Sequence, residues 1–159
     1  MRAKKIKNPN QATLQDFCDN HLGIDCSGFV TNYLIACGKL PNCYATKVNT
    51  GAASYYQPSK AVNDASNVRQ GDLLVWMAGN TPLTSPGHVA VVESYVPQSI
   101  RGGNMRVVEA TGAAAAQPKL LDSMYSVEEI IPKGGAVPVM ILVVKRFGSP
   151  GHRVPVIRY

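Results

Sequence analysis

Apolar residues follow two different periods along this chain. From Asn10 to Leu22, the residues Ala12, Leu14, Phe17, Cys18 and Leu22 recur at three- and four-residue steps and stop at Gly23, which predicts a helix over 10–22. Asp25 then offers an N-cap, and Phe29, Val30, Tyr33, Leu34 and Cys37 form one stripe that Gly38 and Pro41 end. A second helix is therefore expected, with Cys26 in its first turn. Residues 42–69 are polar and small, and only Ser59 to Val62 reads as a short helical start. After Gln70-Gly71-Asp72 the pattern changes to short apolar runs at 73–77, 88–96, 105–111 and 137–147, each bounded by Gly, Pro or Asn, and these are expected strands. Ser126 and Glu129 have capping-box spacing and predict a helical turn before the last strand. Helices first and antiparallel strands afterwards make an α+β arrangement.

The 159 residues, 45% hydrophobic and 16% charged, suit one domain with an ordinary core. The longest apolar run, within 137–144, is far short of the about 20 residues that cross a bilayer, and Met1-Arg-Ala-Lys-Lys-Ile-Lys has no apolar stretch after its charges. Neither a membrane span nor a signal peptide is expected. A net charge of +6 favours an anionic partner such as an acidic wall polymer. Apart from Arg2, Lys4, Lys5 and Lys7 at the start and Lys145, Arg146, Arg153 and Arg158 near the end, however, the basic residues are scattered, and no aromatic-studded basic strand appears, so nucleic acid is not the expected partner. The ends read as a basic segment at 1–9 and a tail at 148–159, flanking a domain at 10–147.

Four cysteines, at 18, 26, 37 and 43, all lie in the first third of the chain, too local to staple a whole fold. With His21 they offer thiolate and imidazole ligands, but no CxxC or HxxxH pair is present and no metal is expected. Cys26 is different from the other three. A helix N-terminus favours a thiolate through its free N–H groups and positive dipole end, and the neighbouring Ser27 and Gly28 are small enough to let a carbonyl approach. Nucleophilic use of that sulfur requires a base. Of the three histidines, His21 lies beside the first helix and His152 in the tail, whereas His88 opens the strand Gly87-His88-Val89-Ala90-Val91-Val92 and would project from a rigid sheet edge.

Asp25-Cys26-Ser27-Gly28-Phe29-Val30, Gly71-Asp72-Leu73-Leu74-Val75-Trp76 and Gly87-His88-Val89-Ala90-Val91-Val92 resemble, in order and spacing, the NlpC family of papain-fold cell-wall cysteine peptidases. The resemblance runs from about residue 10 to about 147. It implies a papain-like α+β fold with the nucleophile helix packed on a small antiparallel sheet. It also implies a His base on the adjoining strand and a third polar residue on the strand after that. In Arg106-Val107-Val108-Glu109-Ala110-Thr111 that third residue is Glu109, ahead of Thr111, where the family more often has His, Asn or Gln. Glu93 is a rival that alternates to the face opposite His88 unless a bulge intervenes. Asp25, Ser27 and Gly28 are expected beside the substrate. Asp72 is expected to be a turn residue and Trp76 a core residue.

The expected activity is cofactor-free cleavage of an amide in peptidoglycan stem peptides, typically the γ-D-glutamyl to diamino-acid link, by a monomer. An acyltransferase or another amide hydrolase on the same fold, or a non-catalytic wall-binding module, are the alternatives. A wall enzyme with no visible signal peptide implies delivery to the periplasm or cell wall by another route, as a lytic enzyme or as an antibacterial toxin with an inhibitory or immunity protein as partner.

Overall fold

A computed structural model describes residues 25–85, 87–99, 102–111, 119–146 and 149–159. The helix expected at 10–22, with Cys18, Asp19 and His21, and the basic segment at 1–9 lie outside the described residues.

Helix α1 (Cys26–Ala36) begins where expected, because the Asp25 carboxylate accepts the Gly28 N–H at 2.6 Å and so satisfies one of the first-turn donors. It ends at Gly38, whose φ of 67° lets the chain turn back so that the Lys39 N–H reaches the Leu34 carbonyl. A six-residue helix α2 (Tyr44–Asn49) follows. Pro58–Lys60 forms a single 3-10 turn leading into β1 (Ala61–Val62). The strands then run β2 (Leu73–Val75), β3 (Met77–Ala78), β4 (Thr81–Pro82), β5 (Val89–Ser99), β6 (Gly102–Thr111), β7 (Lys119–Ile131), β8 (Ile141–Arg146) and β9 (His152–Ile157).

Strands β2, β5, β6, β7, β8 and β9 pair antiparallel in that order, and β9 returns to β2 through Leu73↔Ile157 and Leu74↔Val156. The sheet thereby closes into a six-stranded barrel. This overturns the expected papain-like layout of N-terminal helices on a small antiparallel sheet: strand dominates, and α1 is the one helix of seven or more residues among those described. Two segments account for the difference. Residues 119–131, expected to hold a helical turn at Ser126–Glu129, form the 13-residue strand β7, and residues 152–157, expected in a tail, form β9. Closure pairs both edges of what would otherwise be an open sheet.

Alternation divides the core in two. Leu74, Ala90, Val92, Met105, Val107, Val127, Leu142, Val144, Val154 and Val156 fill the barrel interior. The alternate residues Leu73, Val75, Val89 and Val91 face outward and take Val30 and Leu34 of α1, with Tyr55 and Ile157. The helix is therefore pinned to the outside of β2 and β5.

The barrel's closing seam carries a charge pair. Asp72, at the turn before β2 as expected, is 1% exposed; it receives Arg158 through Nε and a terminal nitrogen, both at 2.8 Å, and the Arg69 N–H at 3.0 Å. A buried carboxylate stripped of its guanidinium is left uncompensated. Arg158→Met is expected to cost about 3 kcal/mol in urea unfolding, given the usual penalty for breaking such a pair and the partial exposure of the arginine. A change under about 0.5 kcal/mol would show that the seam is held by apolar packing alone.

Candidate active site

Helix α1 places the Cys26 thiol at one end of the barrel. Its Sγ lies 3.7 Å from the Gly87 carbonyl, beside the His88 ring whose charged form it stabilises. Gly87 can sit this close because it has no side chain: a Cβ there would stand 2.7 Å from the Leu83 carbonyl oxygen and 3.2 Å from the Ala52 Cβ. His88 is fixed from both sides of its backbone and ring. Its carbonyl accepts the Trp76 N–H at 3.0 Å, and the indole of Trp76 meets the imidazole edge-on with centroids 4.5 Å apart.

The far side of the ring meets Glu109. His88 Nε2 and Glu109 Oε2 are 2.6 Å apart, which leaves Nδ1 as the ring nitrogen free to serve the sulfur. Glu109 continues the inward alternation of Met105 and Val107 on β6, which is why a carboxylate only 1% exposed lies at the mouth of an apolar barrel. Three further donors reach it. The Tyr125 hydroxyl stands 3.1 and 3.3 Å from its two oxygens, an Arg146 terminal nitrogen is 3.2 Å from Oε1, and the Ser123 side chain also bonds to it.

Each barrel strand contributes one member to this end. Trp76 follows β2, His88 precedes β5, Glu109 lies on β6, Tyr125 on β7, Arg146 on β8 and His152 on β9, with the Trp76 ring 6.1 Å from Tyr125 and 5.9 Å from His152. Tyr125, Arg146 and His152 were not among the expected site residues. The detectable signal for Arg146 was its step of two from Leu142 and Val144. Tyr125 and His152 lie on the two strands that were not expected as strands.

The electrostatics follow from these contacts. Burial alone would push the His88 imidazole down, but its hydrogen bonds to Cys26 and Glu109, and its attraction to both, raise it from 6.5 to about 9. Burial likewise works against the Glu109 carboxylate, yet the bonds from His88 and Ser123 and the positive charges of His88 and Arg146 hold it below the ordinary carboxylate range. His152 is lowered, by burial first and then by the same two positive charges. A thiol, an imidazole and an ionised carboxylate in line can move the thiol proton onto the ring and keep it there.

The other expected site residues are placed differently. Asp25 is occupied as the helix cap, accepting both the Ser27 hydroxyl at 2.9 Å and the Gly28 N–H. The Gly28 N–H is therefore not the donor that an oxyanion would meet. The Cys26 N–H is at the first position of α1, where the helix itself supplies no acceptor. Glu93 lies at the register shift between Val92 and Ser94 and pairs with Arg106 at 3.5 Å, away from His88, while Thr111 ends β6 two residues beyond Glu109. Among the described residues, no group of three or more His, Cys, Asp or Glu could hold a metal, and no helix is long and apolar enough to cross a membrane.

Residues 16–111 match the CHAP domain, a span that contains Cys26, His88 and Glu109. No curated protein and no solved structure matches the chain. The matched span exceeds half of the 159 residues and is consistent with the resemblance to papain-like cell-wall peptidases. The chain belongs to the CHAP domain family of cysteine- and histidine-dependent amidohydrolases and peptidases, and is a hydrolase of the peptidoglycan amidase and peptidase class.

Proposed function

We propose that Cys26 attacks an amide carbon in a peptidoglycan stem peptide, with His88 as base and then acid and Glu109 as the group that orients the ring. The 2.6 Å bond from His88 to the buried Glu109, on a ring whose charged form Cys26 and Glu109 both stabilise, carries this reading. His88 takes the thiol proton, and the sulfur adds to the carbonyl carbon to form a tetrahedral oxyanion at the start of α1, where the Cys26 N–H can donate to it. The imidazolium then protonates the departing amine as the C–N bond breaks and a thioester remains. Water, deprotonated by His88, adds to the thioester, and the thiol leaves with a proton returned to it.

The bond we assign is the γ-D-glutamyl to diamino-acid amide, cleaved in the wall of a target bacterium by a lytic enzyme or antibacterial toxin. The net charge of +6 supports attraction to an acidic wall. Incubation with purified sacculi, followed by mass spectrometry of the soluble muropeptides, tests the assignment. Fragments with a newly freed amine on the diamino acid are expected. Cleavage at another stem bond would overturn the bond assignment, and the absence of soluble fragments would overturn the substrate.

A further inference from the structure

Glu109 is an ionised carboxylate buried at the mouth of an apolar barrel, and the Cys26 and His88 pair adds no net charge whether it is thiol with imidazole or thiolate with imidazolium. The site is neutral in either state only if another cation belongs to it. Arg146 is positioned to be that cation. It lies opposite Tyr125 in the β7–β8 ladder, 3.2 Å from Glu109 Oε1, on the oxygen that His88 does not use. Its side chain is 27% exposed, so the guanidinium spans from the buried carboxylate to the open mouth.

We propose that Arg146 is a positioning residue for the hydrolysis: it balances the buried Glu109 carboxylate and keeps one oxygen turned to His88, so that the imidazolium formed in the reaction has an ionised partner. This rests on the reading of Glu109 as the orienting group. The groups that face Glu109 are His88 at the start of β5, Ser123 and Tyr125 on β7 and Arg146 on β8, and the charge of Glu109 is also felt at His152 on β9. Ser123 and Tyr125 are neutral donors, His152 is held toward its neutral form by burial first and then by the cations around it, and His88 changes charge during turnover. Arg146 therefore supplies the one permanent positive charge among these groups. Without it a buried carboxylate takes up a proton more readily. The sign is fixed: Glu109 would protonate at a higher pH, and the acid limb of the rate profile would move up.

The experiment compares Arg146→Met and Arg146→Lys in the wild-type and Glu109→Gln backgrounds. It reads kcat/KM for muropeptide hydrolysis and the rate of Cys26 alkylation by iodoacetamide, each against pH. Arg146→Met is expected to lose about 10–100-fold in kcat/KM near neutral pH, as removal of an outer partner commonly does, with its acid limb displaced to higher pH. Arg146→Lys should restore the limb, having the charge without the fork, and recover part of the rate. In the Glu109→Gln background Arg146→Met should add less than about twofold, because a group that acts through a carboxylate has nothing to act on once the carboxylate is gone. Equal losses in both backgrounds with an unmoved acid limb would show a merely structural arginine and overturn the proposal. If Glu109→Gln itself left hydrolysis and alkylation unchanged, the reading of Glu109 would fall first. If Glu109→Gln were damaging and Arg146→Met silent, only the role of Arg146 would fall.

Discussion

Cys26→Ala is expected to bring muropeptide release down to background, a loss on the order of 10⁴- to 10⁶-fold, because no other group described near His88 can form the acyl intermediate. The fold should persist. Cys26 is only half-buried at the first turn of α1, and the cap from Asp25 to the Gly28 N–H does not involve its side chain. The anchoring of the helix comes instead from Val30 and Leu34 against β2 and β5. Cys37 and Cys43 are exposed and free, and Cys37→Ser and Cys43→Ser should cleave at wild-type rates. Circular dichroism through thermal unfolding, run beside the muropeptide assay, separates lost chemistry from lost structure. Wild-type turnover in Cys26→Ala would end the nucleophile reading.

The helix carrying Cys26 and the strand opened by His88 were legible in the sequence because each has local punctuation. Asp25 caps one, Gly38 ends it, and the run 89–92 has no plausible alternative to a buried strand. Residues 119–131 mislead because Ser126 and Glu129 mimic a capping box, while the informative signal was the alternation of buried Ser123, Tyr125 and Val127 with Met124, Ser126 and Glu128. Residues 152–157 mislead for a different reason. Pro155 argues against a strand that pairs on both sides, and the nearby basic residues read as a solvated tail, yet Val154 and Val156 point into the core and Arg158 is drawn into the Asp72 pair. Missing two strands converts a closed barrel into a small open sheet. It also conceals the half of the site that arrives from the far side of the barrel, since contacts such as Arg146 to Glu109 depend on register across β6, β7 and β8 and leave no local trace.

The carboxylate itself gives the second large effect. Glu109→Ala is expected to lower kcat/KM by about 10³- to 10⁴-fold, because the imidazole then has no acceptor fixing its tautomer or stabilising its charge. Glu109→Gln should lose less, since an amide oxygen can still accept from His88. Its NH₂, however, would meet the donors of Arg146 and Tyr125, so rescue should be incomplete. The pH profile separates charge from geometry. Burial lowers the His88 value, while Cys26 and Glu109 together lift it to about 9, so neutralising Glu109 must let it fall and bring the alkaline limb of hydrolysis to lower pH. The same pair is linked to stability. His88, raised above its ordinary 6.5, contributes fully below pH 6.5 and loses that contribution as pH climbs through about 9; Glu109, depressed, contributes above its ordinary 4.5 and loses that contribution as pH falls below it. Glu93→Ala, which removes a surface partner of Arg106 at the β5 bulge, should leave both rate and profile near wild type. A severe Glu93→Ala with a mild Glu109→Ala would mean that the chain beyond Val92 is out of register by one residue and that a different carboxylate faces the ring.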